Sequence, residues 1–324
     1  MNITILDDYQ DAVRTLKCFA KLAPHHVTIW NDHTKDVEVL AQRLRDTEAL
    51  VLIRERTPIT AALLERLDRL KIISQGGVYP HIDVEACTRR GVILSSEVLH
   101  AQPSYATAEL TLGLIISAMR NMPQEMAALK SGRWQSAIGL GLRGRTLGVF
   151  GYGRIGGVVA GYGKALGMDV LVWGRATTLA RARADGYATA ASQRQFFQES
   201  DVVTLHLRMI KETRGIVSAA DLACMKSTAL IVNTSRAGLI EPGALVTALR
   251  AGRPGSAALD VFDEEPLLDS KHPLLNLCNV TCTPHIGFVE RDAFESRFST
   301  NFDQILAYLA GQPINVINPE VLTR

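Results

Sequence analysis

The stretch Thr146-Leu147-Gly148-Val149-Phe150-Gly151-Tyr152-Gly153-Arg154-Ile155-Gly156 decides the fold. A short apolar run enters a Gly-x-Gly-x-x-Gly turn, and a helical pattern continues to Leu166. Each glycine has a physical use when a pyrophosphate sits at such a turn. Gly151 permits the tight turn, Gly153 lets backbone approach phosphate without a Cβ, and Gly156 lets helix and strand pack closely. The N–H groups that open the helix, around Arg154 and Ile155, then face the anion with the positive end of the helix dipole behind them. Glycine-rich turns are common. The strand before this one and the helix after it point to dinucleotide binding.

Working outward, two β/α series are visible. Before the turn, Ile3–Leu6, Val27–Trp30, Ala49–Ile53, Lys71–Ser74 and Val92–Ser95 read as strands. They alternate with helical patterns at Val37–Arg45, Ala61–Leu67 and Val84–Arg89. From the turn onward the strands are Thr146–Phe150, Val170–Trp173, Val202–Leu205, Leu230–Asn233, Ser256–Asp260 and Val280–Thr283, with helices such as Gly243–Ala251 between them. Near-continuous apolar strands alternating with helices predict parallel sheets covered on both faces. A single domain would need a sheet of about eleven strands, so two domains are expected. The apolar helix predicted from Ser104 to Met119, after Pro103, carries the chain between them, and Arg291–Leu309 is another amphipathic pattern. Pro313–Asn318 reads as a finishing extended segment.

The 324 residues, 47% of them hydrophobic, can fill two ordinary cores. Lys and Arg (35) nearly balance Asp and Glu (33), so no nucleic-acid partner is expected. The opening MNITILDDYQ has neither the basic nor the apolar region of a secretion signal, and no apolar run reaches the roughly 18 residues of a membrane span. Five scattered cysteines (18, 87, 224, 278 and 282) read as reduced thiols of a cytoplasmic protein. Cys278 and Cys282 lack a companion pair at zinc spacing, so no metal is expected.

Three groups after strand ends could carry chemistry: Asn233-Thr234-Ser235-Arg236, Asp260-Val261-Phe262-Asp263-Glu264-Glu265-Pro266 and Thr283-Pro284-His285-Ile286-Gly287. In an open α/β sheet, loops beyond the carboxyl ends of strands line the ligand crevice. An arginine fork to hold a carboxylate, a histidine to pass a proton and a carboxylate to orient that histidine make a coherent set for hydride transfer. Each also has a plain alternative: a surface ion-pair arginine, a solvated acidic loop, a histidine packed in a turn.

The strings GYGRIG, NTSRAG, LDVFDEEP and TPHIG, in this order and spacing, resemble the D-isomer-specific 2-hydroxyacid dehydrogenase family along the entire chain. The resemblance implies a catalytic set of Arg236, Glu265 and His285, with Asp260 near the nicotinamide carboxamide. Ser74-Gln75-Gly76-Gly77-Val78 resembles the family's glycine loop, where backbone N–H groups of Gly76, Gly77 and Val78 would hold the substrate carboxylate. It implies an α/β chain of two doubly wound parallel-sheet domains. A Rossmann NAD(P)-binding domain at 100–287 would be inserted into a flavodoxin-like substrate domain made of 1–99 plus 288–324. A homodimer formed near the Tyr105–Met119 helix is implied as well.

The chain also departs from the family pattern. Where NAD-using members carry an aspartate for the ribose hydroxyls, it has Val172-Trp173-Gly174-Arg175, which favours a 2′-phosphate and hence NADP(H), with NAD(H) still open. Arg208 replaces a usual proline and would approach the same phosphate. The loop Gly77-Val78-Tyr79-Pro80-His81 is altered too, leaving Tyr79 and His81 as pocket-wall residues. Gly157, Gly161 and Gly163 weaken the first nucleotide-domain helix, with close packing as one reason. The expected activity is reversible reduction of a small 2-keto acid, such as glyoxylate or hydroxypyruvate, to the D-2-hydroxy acid. One alternative is 3-phosphoglycerate oxidation, with Arg54 or Arg56 meeting a phosphate unless they form a plain basic loop. Another is a dinucleotide-sensing corepressor-like binding protein.

Overall fold

The computed structural model describes residues 1–97 and 105–323. Pro103, Ser104 and the domain boundary expected at 99/100 lie outside the described residues. The chain divides into two units, Met1–Ala101 with Val289–Arg324, and Gln102–Phe288.

The first unit is built on β1 (Asn2–Ile5), β2 (His26–Ile29), β3 (Ala49–Val51), β4 (Ile72–Gly76) and β5 (Ile93–Glu97). They pair in parallel in the order β2-β1-β3-β4-β5. Helices α1 (Val37–Leu44), α2 (Ala61–Leu64) and α3 (Val84–Arg89) connect them. Leu40, Leu44, Leu63, Leu64 and Cys87 from these helices pack on Leu50, Leu52, Ile73 and Leu94. The second helix is shorter than its pattern predicts. After Leu64 the chain tightens, with Arg66 N–H bonded to Leu63 O and Leu67 N–H to Leu64 O, three residues back instead of four.

The second unit opens with α4 (Tyr105–Met119) and α5 (Met122–Lys130). Then come β6 (Thr146–Phe150), α6 (Arg154–Ala165), β7 (Asp169–Trp173), α7 (Ala176–Ala184), β8 (Ala188–Thr189) and α8 (Gln193–Glu199). It continues through β9 (Val202–Leu205), α9 (Ala219–Ala223), β10 (Leu230–Asn233), α10 (Ala244–Arg250), β11 (Ser256–Leu259) and β12 (Val280–Cys282). The sheet is parallel in the order β12-β11-β10-β9-β6-β7-β8. Its central strands β9 and β10 are buried at every position, as a sheet covered on both faces requires. Phe150, Phe196, Phe197, Ile231 and Leu249 fill one face. Leu114, Ile115, Leu147, Val149 and Val159 fill the other. Strand order reverses between β6 and β9, and such a switch point opens a ligand crevice.

The chain then returns to the first unit as α11 (Arg291–Leu309), which packs on β4. Its buried face combines Phe294, Phe298, Phe302 and Ile305 with Asn301 and Gln304. The final extended segment runs antiparallel to β5. Ser96 N–H donates to Asn315 O (2.9 Å) and Ile317 N–H to Leu94 O (2.8 Å), which protects that sheet edge. Among the described residues no helix is long and apolar enough to cross a membrane.

Candidate active site

The glycine turn lies at the carboxyl end of β6, beside the end of β9. Gly151 has φ +97°, and a Cβ there would lie 2.5 Å from His206 O at the end of β9. Gly156 is needed for space: its Cβ would stand 2.1 Å from Gly151 O. Gly153 differs, because a Cβ there would meet nothing within 4 Å among the described residues. No packing among the described residues demands a glycine at 153, so the constraint fits a ligand approaching the backbone. Helices α1, α2, α3, α8, α9 and α11 each have a side chain bonded to first-turn N–H groups, whereas α6 begins at Gly153 with no such cap. Its opening amides therefore suit a pyrophosphate.

Behind the turn stands a bracket that sequence reading missed. Arg181 of α7 donates to Tyr152 O and lies over the Tyr152 ring at 5.1 Å, while Tyr152 Oη bonds to Asp185 at 2.7 Å. Burial, and then the Asp185 carboxylate, push the Tyr152 hydroxyl well above its ordinary range, so it remains a neutral donor. No local signal marks these partners, because the contact depends on α7 folding back over the turn. Of the three further glycines in α6, close packing accounts for Gly163, whose Cβ would lie 2.4 Å from Leu147 Cδ2. It does not account for Gly161, where nothing among the described residues lies within 4 Å.

After β7, Gly174 has φ +158°, and Arg175 follows as the uncapped start of α7. Arg175 and Arg208 are both exposed, and neither guanidinium has a hydrogen bond or ion pair among the described residues.

The loops after β10, β11 and β12 bring the three predicted groups into one polar network. His285 sits in the left-handed region with φ +52°, an unusual backbone for a residue with a Cβ. Its Nδ1 lies 2.5 Å from Glu265 Oε2, and Glu265 Oε1 accepts from Phe262 N–H at 3.0 Å. Burial works to raise the Glu265 carboxyl. The bond to His285, that ring's charge, the Phe262 N–H and the Arg236 guanidinium outweigh burial and hold it below the usual range. His285 Nε2, with the ring 22% exposed, has no protein partner among the described residues.

Asp260 is fully buried. Its Oδ1 accepts from Thr283 Oγ1 (2.6 Å) and Ile286 N–H (2.8 Å), and its Oδ2 from Gly287 N–H (2.8 Å). Burial raises its carboxyl above the ordinary value despite these bonds. All three partners belong to the His285 loop, so within the protein Asp260 is a fastener that shapes that loop. The loop after β10 is held as firmly. Ser235 Oγ donates to Leu205 O (2.7 Å), Asn233 Nδ2 to Arg236 O (2.9 Å) and Arg236 Nη1 to Ser235 O (2.7 Å).

In the first unit Gly76 ends β4, and the loop after it carries Gly77 and Val78. The Gly77 N–H already donates to Glu97 O at 2.9 Å. This corrects the expectation that all three N–H groups stand ready for a carboxylate: the pairing with β5 runs to Gly77, three residues past the end at Ser74 that the sequence pattern shows. Arg54, after β3, has φ +59°, and Arg56 donates to Asp7 O while lying 4.4 Å over the Tyr9 ring. Arg56 is thus built into the unit, unlike the solvated basic loop that was one alternative for it. Tyr79 packs against the first unit's core, and both ring nitrogens of His81 are buried without a partner among the described residues.

A parallel sheet with a glycine turn at its switch point and an Arg, Glu and His on the neighbouring strand ends defines a dinucleotide-dependent oxidoreductase. Residues 112–287 match the model of the D-isomer specific 2-hydroxyacid dehydrogenase, NAD binding domain. Over the chain as a whole, the glyoxylate reductase of Thermococcus litoralis is 33% identical, with 92% of each chain covered. The D-3-phosphoglycerate dehydrogenase of Methanocaldococcus jannaschii is 39% identical over 87% of this chain, which spans about half (53%) of that longer relative. A solved phosphoglycerate oxidoreductase from Vibrio cholerae o395 is 45% identical with TM-score 0.92, covering 96% of this chain and 99% of its own. An oxidoreductase from Ralstonia solanacearum is 51% identical with TM-score 0.95, covering 99% and 98%. The chain belongs to the D-isomer specific 2-hydroxyacid dehydrogenase family.

Proposed function

We propose that this chain reduces a small 2-oxo acid of the glyoxylate or hydroxypyruvate type to the D-2-hydroxy acid, reversibly, with a nicotinamide dinucleotide. The observation that carries the reading is the 2.5 Å His285–Glu265 pair, which leaves His285 Nε2 open. Glu265 on Nδ1 sets the ring's orientation, and Nε2 is the nitrogen left to pass the proton. Arg236 holds the substrate carboxylate in a two-pronged grip and polarises the ketone. The nicotinamide supplies hydride when bound. The glycine turn and α6 hold its pyrophosphate, and Asp260 keeps the His285 loop in register beside it.

Phosphoglycerate oxidation is the second reading, favoured by the phosphoglycerate dehydrogenase relatives and by Arg54 after β3. A corepressor-like role is not favoured by relatives that are reductases and dehydrogenases. For the cofactor we favour NADP(H), because Gly174 supplies no carboxylate against a 2′-phosphate and exposed Arg175 can meet one. Turnover of a panel of 2-oxo acids, and of 3-phosphoglycerate in reverse, with NADH and NADPH tests substrate and cofactor together. NADPH should lead by about ten- to a hundredfold in kcat/KM, an advantage lost in Arg175→Ala. An NADH preference in the wild type would overturn the cofactor assignment.

We also propose a two-fold homodimer. Met122, Met126 and Leu129 of α5, with Trp134 (77% exposed) and Ile138 (95% exposed) beyond it, form a large exposed apolar set continuing from α4. Light scattering at micromolar concentration should give twice the monomer mass, and Trp134→Asp with Ile138→Asp should halve it.

A further inference from the structure

We propose that Thr107 and Thr111 of α4 are positioning residues, whose hydroxyls join the Arg236 loop to the His285 loop and fix the spacing of those two side chains. The inference rests on the 2-oxo acid reading above and deepens it, since neither threonine belongs to the predicted catalytic set. Thr107 Oγ1 donates to Gly287 O at 2.8 Å. The N–H of the same glycine is held by Asp260 Oδ2, also at 2.8 Å. A Cβ on Gly287 would lie 3.1 Å from Asp260 Oδ2 and 3.3 Å from Thr107 Cγ2, so this residue fits closely between its two holders. His285 stands two residues before it, in its left-handed backbone.

Thr111 lies one turn along the same face of α4 and donates to Thr107 O at 2.7 Å. A hydroxyl has one proton to give, so in the 2.8 Å contact of Thr111 Oγ1 with Thr234 Oγ1 it is Thr234 that donates. Thr234 stands two residues before Arg236. The contacts thus run from Thr234 through Thr111 and Thr107 to Gly287, from one loop to the other. The helix that carries them packs on β10, β11 and β12, and its Ala108 shares a core with Val232 and Ala258. Thr111 is completely buried in this apolar setting, where a hydroxyl is costly unless it is bonded. A valine would fill the same space with no bond to satisfy, so packing alone gives no reason for a threonine there. Holding two loops at one distance gives a reason.

The test measures kcat for glyoxylate, dinucleotide affinity and melting temperature in Thr107→Val, Thr107→Ser, Thr111→Val and Thr111→Ser of the full-length protein. Each valine variant should lose about ten- to a hundredfold in kcat, the scale of a misplacement of about 1 Å, with dinucleotide affinity nearly unchanged. Each serine variant keeps the hydroxyl and drops a methyl, and should recover most of the wild-type kcat. Wild-type kcat in either valine variant would overturn the proposal. So would serine variants as slow as the valine ones, or a kcat that follows melting temperature instead of the hydroxyl. Should a valine variant fail to fold, the alanine variant at that position takes its place. A wild type that reduces no 2-oxo acid would sink the reductase reading, and the brace is then judged by amide hydrogen exchange. The Gly287 N–H should exchange faster in Thr107→Val than in wild type or Thr107→Ser, and equal exchange in all three would overturn the brace itself.

Discussion

The loops after β10, β11 and β12 and the loop after β4 treat polar groups in opposite ways. In the first region Asp260 accepts three hydrogen bonds, and Glu265 takes Phe262 N–H on one oxygen and His285 on the other. In the second, Gln75 Oε1, both nitrogens of His81 and the whole Asn301 amide are buried without a partner among the described residues. A set that must transfer a proton gains by being held before the substrate arrives, since no reorganisation is then needed during the reaction. A set that recognises a ligand can leave groups for that ligand to complete. Such unpaired groups also penalise any ligand lacking the matching atom.

The largest effect should come from breaking the held set at its reactive end. His285→Ala is expected to lower turnover by about 10²–10⁴-fold with dinucleotide affinity nearly unchanged. Turnover within a few fold of wild type would mean the proton comes from elsewhere. Arg236→Lys comes next. A lysine keeps the charge and loses the fork, so kcat/KM for a 2-oxo acid should fall by about ten- to a hundredfold. A wild-type value would leave Arg236 as a support for its own loop.

The smallest effect sharpens the comparison by pH. The Glu265 carboxyl is held below its ordinary 4.5, so its ionised form stabilises the fold fully above that pH, and the stabilisation is lost as pH falls through the lower folded value. Glu265→Gln should therefore melt earlier than wild type at neutral pH by a modest margin. The two melting curves should converge on acidification below about pH 4.5. A margin that persists at low pH would show that the carboxylate's charge is not what holds the loop.

Much of this was legible along the chain. Thr146–Phe150, Val202–Leu205, Leu230–Asn233 and Arg291–Leu309 begin and end where their patterns place them, because buried parallel strands and an amphipathic helix write their burial into consecutive residues. The two-residue β8 and the shortened α2 were not legible, since neither is long enough to show a period. The glycine turn was readable because each glycine answers a local backbone demand. Arg297 and Asn301 were not, because on a helix pattern they read as polar positions of an amphipathic face. Only the packing of α11 on β4 turns them inward.

By itself the sequence determined the two β/α series, the turn at Gly151–Gly156 and the residue types after each strand of the second unit. These depend on neighbours one to four positions away, through strand alternation, helix period and turn geometry. Tertiary structure decided the 2.5 Å meeting of His285 with Glu265, the use of Asp260 as a fastener, the Arg181–Tyr152 bracket and the setting of Arg297 beneath Gly76. The partners of these contacts lie between 20 and 221 residues apart. Hydrogen bonds and buried charges are settled by distances of a few ångströms, and only the folded sheet brings such distant residues that close.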